Sequence, residues 1–236
     1  IQLMDTLSEN EINNFITSFY KSFGLRNVLD LKWFNWFYNE NPFGKCKNYI
    51  LTNEKNEIVG GYGYLMFNYY FQKDIKIGVT GVNGFINPEY TGLRLYTELI
   101  EESLKDIHLN HELAFSFPHS DNIASVKGHL NCNWQEVKKI YFYIKTVDSN
   151  ENISFNEYIF ESDIEDLEDY DFTADEYQFF VKNYQWLYWR FYKRPDKQYN
   201  ILVYKLNNIV KGYFLYTLYK DNNGIIRCQI ADYDYE

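Results

Sequence analysis

Cysteine is scarce in this chain. Cys46, Cys132 and Cys228 are its only three, and they lie far apart. They offer neither a CxxC redox pair nor a metal-ligand spacing, so a reduced, cytoplasmic setting is the expectation. Positive charge is also in deficit. Lys and Arg number 23 against 33 Asp and Glu, a net charge of −10. That balance argues against grasping the phosphate backbone of a nucleic acid, which needs a basic face. It leaves room for one small anion, because that is a local matter of backbone N–H groups. Apolar runs are short and broken by charge, so no membrane span is expected. No charged-then-apolar leader opens the chain, so no secretory signal is expected. GxSxG, HExxH and P-loop patterns are missing too.

Apolar and aromatic residues are plentiful, at 46% and 20%. That is ample for a packed core in one large domain or two small ones. The abundance of Asn, Lys, Ile, Tyr and Phe matches an AT-rich genome, so a single Tyr or Asn is not read as a signal.

Ser8 and Glu11 fit a capping box opening a helix to about Phe23, with Ile12, Phe15, Ile16 and Phe19 on one face. A short helix is expected from Asp30 through "LKWFNWFYNE", stopped at Asn41-Pro42. "NYILT" is a strand. The runs "IVGGYGYLMFNYYFQ" and "DIKIGVTGVNGFI" form a hairpin with its tip at Gln72-Lys73-Asp74. The turn "NPEYTGLRLY" then leads into a helix from about Gly92 to Lys105, with Leu95, Leu99, Ile100 and Leu104 as its stripe. "ELAFSFP" is a buried strand, 121–131 a helix, and "WQEVKKIYFYIKTV" a long strand. The order is that of a mixed α/β layer structure of about 150 residues. Residues 148–152 open a linker, and the acidic run to Phe172 is expected to be a solvated connection. Thr173 and Glu176 form a second capping box, and the helix after it ends in "WRFYKRP".

This second part echoes the first. "WFYNENP" and "WRFYKRP", then "NYILTN" and "YNILVYKL", then "IVGGY" and "IVKGY" follow one another in the same order. Trp36 to Trp189 and Pro42 to Pro195 are both 153 residues apart, and Gly61 to Gly212 is 151. Agreement of order, spacing and turn position favours a true duplication. The aromatic sets repeat at helical spacing, which points to core packing.

A strand ending in "INPEY", a turn, and a helix with "LYTELI" resemble the acyl-coenzyme A segment of the GNAT superfamily of acetyltransferases. "WFYNENPFGK" with "IVGGYGYL", and "FSFPHSDNIASVKGHLNCNWQEVKKIYFYIK", are similar to the front and back halves of that family. The resemblance covers about residues 1–146, and weakly 158–236. It implies a mainly antiparallel, twisted mixed sheet flanked by helices, with a partial second GNAT-like unit. The expected division is a coenzyme-binding domain at 1–147, a linker at 148–157 and the partial unit at 158–236.

The resemblance also implies site residues. Backbone N–H groups of a turn and helix N-terminus hold pyrophosphate in the family, where the helix dipole favours anions. Here that turn is Thr91, Gly92, Leu93, Arg94, Leu95 and Tyr96. It departs from the family pattern at three positions: Thr91 for Arg or Gln, Arg94 for glycine, Tyr96 for a small residue. Either Arg94 and Thr91 add phosphate contacts, or Arg94 stands in the phosphates' place. The pantetheine arm would pair with the fourth strand around Gly84, Phe85, Ile86 and Asn87, beside a fifth strand at 113–117. Asn122 falls where an asparagine contacts the coenzyme arm, and is equally a helix N-cap. His129 takes the position of the tyrosine that protonates the leaving thiolate, and is equally a residue of a helix surface. His119, after the fifth strand, is a second candidate of the same kind.

The function implied is acetyl transfer from acetyl-coenzyme A, as co-substrate, to an amine of a small molecule, an amino sugar being one candidate. The alternative is a catalytically inactive GNAT-fold binding or assembly protein with a degenerate coenzyme site. A transferase with an RNA-carried donor is disfavoured by the acidic charge. No nucleic acid, membrane or metal is expected as partner. A homodimer is compatible with the resemblance, which leaves the oligomeric state open.

Overall fold

The computed structural model describes residues 1–4, 8–24, 29–138, 159–172 and 179–235. Two sheets organise them. The first has five strands in the order β1-β2-β3-β4-β5: Gln2–Leu3, Lys47–Thr52, Ile58–Phe71, Asp74–Ile86 and Ala114–Ser116. All pair antiparallel except β4 with β5, which run parallel. The second has four antiparallel strands, β6 (Ile159–Ser162), β7 (Asn200–Leu206), β8 (Ile209–Lys220) and β9 (Ile226–Tyr235). Among the described residues, no helix is long and apolar enough to cross a membrane.

Helix α1 (Glu9–Phe23) carries the expected capping box: Ser8 Oγ accepts from Glu11 N, and Glu11 Oε2 accepts from Ser8 N at 2.9 Å. Its stripe of Ile12, Phe15, Ile16 and Phe19 is buried. Helix α2 (Leu31–Phe34) is capped by Asp30, which accepts from Trp33 N at 2.7 Å. It then widens into a π-turn, Asn35–Asn39, which swings Trp36, Phe37 and Tyr38 inward together. The β3–β4 hairpin closes through Gln72 and Lys73, both with positive φ, as a two-residue turn whose twist suits the strands. Helix α3 (Leu95–Asn110) covers one face of the sheet, burying Leu99, Ile100 and Ile107 against Tyr62, Tyr64 and Val79. Helix α1 and the π-turn cover the other face. Helix α4 (Ile123–Asn131) packs beside α3.

The second sheet follows a matching plan. Helix α5 (Tyr184–Leu187) is capped by Asn183, which accepts from Trp186 N, and again widens into a π-turn, Tyr188–Tyr192. A strand pair follows, with a register shift after Tyr204 that matches the one after Leu51. Leu51 pairs with Gly60 and Tyr204 with Gly212, so by register the position that matches Gly212 is Gly60, not Gly61. The two halves meet at Trp36 and Trp189. Each indole N–H donates to the other's carbonyl, at 2.7 and 2.8 Å, and the rings stack with centroids 5.4 Å apart. Phe179–Val181 adds a further junction, pairing with β3 beyond the end of β2.

Several expectations change. β1 is too short to have a sequence pattern. Helix α3 begins at Leu95 rather than Gly92, because Gly92 and Arg94 both take left-handed backbone. The acidic run is not merely a solvated connection. It supplies β6 and a 3-10 turn, Ile164–Leu167, with Ile164, Leu167 and Tyr170 buried at a spacing of three. The strand expected at 134–147 does not begin within 134–138, and its remainder, the 148–157 linker and the Thr173–Glu176 box lie outside the described residues.

Candidate active site

The site is built by β4 outrunning its neighbour. β5 pairs with β4 only at Val79, Thr80 and Gly81. Beyond Gly81 the strands part, and among the described residues nothing pairs with the outer edge of Val82–Ile86. A bulge lies in this stretch. Gly63 pairs with Val82 but Gly61 with Phe85, so Asn83 and Gly84 together oppose Tyr62. Asn83 has φ 52° and donates to Tyr38 Oη at 2.9 Å. The end of β4 is pinned to α1, where Ser18 and Ser22 donate to buried Asn87 at 3.1 and 2.8 Å.

After a 3-10 turn (Pro88–Tyr90) comes the glycine-bearing turn. Thr91 donates to Pro88 O, Gly92 has φ 81°, and Thr91, Gly92, Leu93 and Arg94 are exposed. Arg94 is the residue before α3, with φ 63° and no side-chain cap. Its guanidinium lies 3.4 Å from Glu101 and its side chain is 69% exposed, so it stands along the helix flank rather than in the turn. Among the described residues no hydrogen bond engages the N–H groups of Gly92 to Tyr96. The turn therefore keeps the open donors and the two left-handed residues that an anion cradle needs, although only one is glycine.

Tyr96 is the departure with consequences. Its ring lies against Gly84 of β4 and Gly128 of α4, where any added Cβ would sit 2.6 and 2.4 Å from it. Its hydroxyl is 3.2 Å from Ser125 Oγ. It thus occupies the seam between α3, α4 and the free part of β4. Of the other expected contacts, Phe85 is turned into the core against Phe15 and Phe19, leaving only its backbone for a ligand, and Ile86 is half-buried. Asn122 caps α4, accepting from Ser125 N at 3.1 Å. His119 is exposed beside Asp121.

His129 is not on a helix surface. It is 5% exposed and boxed by Tyr62, Tyr96 and Trp134. Its Nδ1 is 2.7 Å from Ser125 O, and its Nε2 is 2.7 Å from Tyr62 Oη. A carbonyl only accepts, so Nδ1 carries the proton and Nε2 accepts from the Tyr62 hydroxyl. Burial holds the imidazole pKa below its ordinary value, the Ser125 contact opposing this, so the ring is neutral at pH 7. Tyr62 is the residue that sequence reasoning missed. Its hydroxyl lies over Gly81, where the strands part, 2.0 Å from where a Cβ would be. Burial drives its pKa well up, so it stays a neutral hydroxyl. The alternation Gly60, Tyr62, Tyr64 was the available signal, since it puts both tyrosines on one face opposite small residues. Among the described residues no group of His, Cys, Asp or Glu could hold a metal.

No protein-family model matches the sequence, and no curated protein does. Solved structures do match. A protein from Enterococcus faecalis described as a probable N-acyltransferase aligns over 92% of this chain and 55% of its own, at 12% identity and a TM-score of 0.59. An aminoglycoside 6'-N-acetyltransferase from Acinetobacter haemolyticus aligns over 63% of this chain and 100% of its own, at 13% identity and a TM-score of 0.48. The wider of these matches shows the fold: a mixed, twisted sheet flanked by helices, which is the fold of the GNAT superfamily of acyltransferases.

Proposed function

We propose that the protein is an N-acyltransferase that moves an acetyl group from acetyl-coenzyme A to an amine of a small molecule. The observation that carries this reading is the fork. A strand edge that nothing among the described residues pairs from Val82 to Ile86 runs straight into a turn whose N–H groups no described residue engages. An amide-bearing arm pairs with such an edge, and the phosphates at its end meet the N–H groups of Gly92 to Tyr96 and the positive end of α3. Three free cysteines, two of them buried, suit a cytoplasmic setting.

In the reaction the amine nitrogen attacks the thioester carbonyl carbon. A C–N bond forms, the C–S bond breaks, and the coenzyme leaves as a thiolate. The proton shed by nitrogen must end on sulfur. In this reading Tyr62 gives its hydroxyl proton to the departing sulfur and takes the one shed by nitrogen, while neutral His129 behind it holds the hydroxyl by accepting its hydrogen bond. His129 then works as an acceptor acting through Tyr62, not as the acid.

A second reading, a GNAT-fold binding protein without catalysis, is favoured by Tyr96, which fills part of the seam beside Gly84. Thiol release from acetyl-coenzyme A in the presence of primary amines separates the two. The transferase reading expects release, reduced about 100-fold or more in Tyr62→Phe. Release in neither the wild type nor Tyr96→Gly would leave only the second reading, whereas release gained in Tyr96→Gly would mark Tyr96 as the block.

A further inference from the structure

On the opposite face of the sheet from Tyr62 lies a second cavity, about 540 Å3, which falls within the range of small-molecule sites. Its floor is Ile12, Phe34, Tyr38 and Cys46, all buried. Burial keeps the Cys46 thiol protonated and inert, so it lines the cavity without reacting. Deep in it sits Asn48, only 2% exposed, whose Oδ1 has no hydrogen-bond partner among the described residues. A buried amide oxygen left unpaired is costly in a folded protein, and its place in the cavity wall leaves it open to a donor. At the mouth stand Asn39 and Lys45, both exposed, and Lys45 has no ion pair among the described residues. The neighbouring Lys47 is neutralised by Asp106 at 2.9 Å.

The deep end of this cavity borders the fork. Asn48 Oδ1 and Val82 Cγ2 lie 2.8 and 3.2 Å from the place a side chain at Gly63 would take. Val82 is the first residue of the unpaired stretch of β4. Asn48 itself lies on β2, with β3 between it and β4, so a donor seated on it is on the inner side of Val82, away from the unpaired edge.

We propose that this cavity binds a primary amine with a compact apolar body, its nitrogen donating to Asn48 Oδ1 and its body lying against Ile12, Phe34 and Tyr38. This binding does not rest on the acyltransferase reading. One acceptor atom at the deep end satisfies one amine. Among the described lining residues there is a cation without an ion pair, Lys45, and no carboxylate, an arrangement that disfavours a polycation such as an aminoglycoside.

Thermal unfolding with added 2-phenylethylamine tests the proposal. Millimolar amine is expected to raise the Tm of the wild type. Asn48→Leu removes the unpaired oxygen at similar volume, so its ligand-free Tm is expected to equal or exceed that of the wild type, while the amine's Kd weakens at least about tenfold. A purely structural Asn48 would show the reverse, a lowered Tm with unchanged amine binding, and that overturns the proposal. So does a wild type that gives no shift with 2-phenylethylamine. Should Asn48→Leu fail to fold, Lys45→Glu at the exposed mouth decides. It is expected to move preference about tenfold toward kanamycin, and an unchanged preference overturns the proposal. Failure of the acyltransferase reading looks different: no shift with acetyl-coenzyme A in any variant, with the amine shift intact.

Discussion

A single histidine shows what the sequence could and could not place. The pattern before Cys132-Asn133-Trp134 put His129 at the family's tyrosine position, and the structure finds it buried behind Tyr62. What it could not show was Tyr62, which reaches His129 from a strand 67 residues earlier. Local spacing carries no information about a partner that only the sheet brings near. Discounting tyrosines in so aromatic a chain removed the remaining clue. The environment of His129 also sets a pH dependence. Its folded pKa lies below the ordinary 6.5, so below that value the unfolded chain takes up protons the folded one resists. Stability contributed by the neutral ring is present above about pH 6.5 and is lost as pH falls toward the folded pKa. Urea midpoints should therefore fall between pH 7 and pH 5, and fall less in His129→Gln. Equal slopes in the two proteins would show that His129 is not held neutral by burial.

Elements with local signals were legible and those without were not. Helix α1 was readable because Ser8, Glu11 and the apolar stripe all lie within its own sequence. The acidic run hid β6 because its three apolar anchors are separated by Asp and Glu, and their burial depends on a sheet formed elsewhere. The π-turns at Asn35–Asn39 and Tyr188–Tyr192 leave no separate mark beyond helical spacing. The start of α3 was misplaced by three residues because Arg94 takes a conformation that suits glycine. A left-handed non-glycine residue costs roughly 1–2 kcal/mol, partly offset by the unfolded-state entropy that glycine would add. Arg94→Gly should therefore stabilise the protein by about 0.5–1 kcal/mol, read as a higher urea midpoint. Coenzyme affinity should not change, because the guanidinium lies toward Glu101. A lower midpoint would mean that Arg94 makes a contact worth more than its strain.

At the scale of the whole molecule, two sheets with matching plans are joined through reciprocal tryptophans. The matching order of elements was readable from the sequence, but not the contact between the halves, since nothing in a sequence says that residues at matching positions will face each other. Trp36 and Trp189 each satisfy the other's backbone, and Arg194 lies over the Trp36 ring at 5.5 Å. Truncating either to Ala should cost about 3–5 kcal/mol in chemical denaturation. The double variant should cost at least about 1 kcal/mol less than the two single effects together, because the second loss removes a contact already broken. Additive effects would mean that the halves are stabilised separately. This junction also places its π-turn under the cavity that borders the fork, so the second half supports the site without supplying its groups. The central claim is that the fork and the turn after it take a coenzyme arm and its phosphates. Calorimetric titration of acetyl-coenzyme A into the protein tests this most directly. The account predicts saturable binding with a Kd of about a millimolar or tighter, weakened by added pantetheine and by added inorganic pyrophosphate. Heats no larger than dilution at millimolar acetyl-coenzyme A would contradict it.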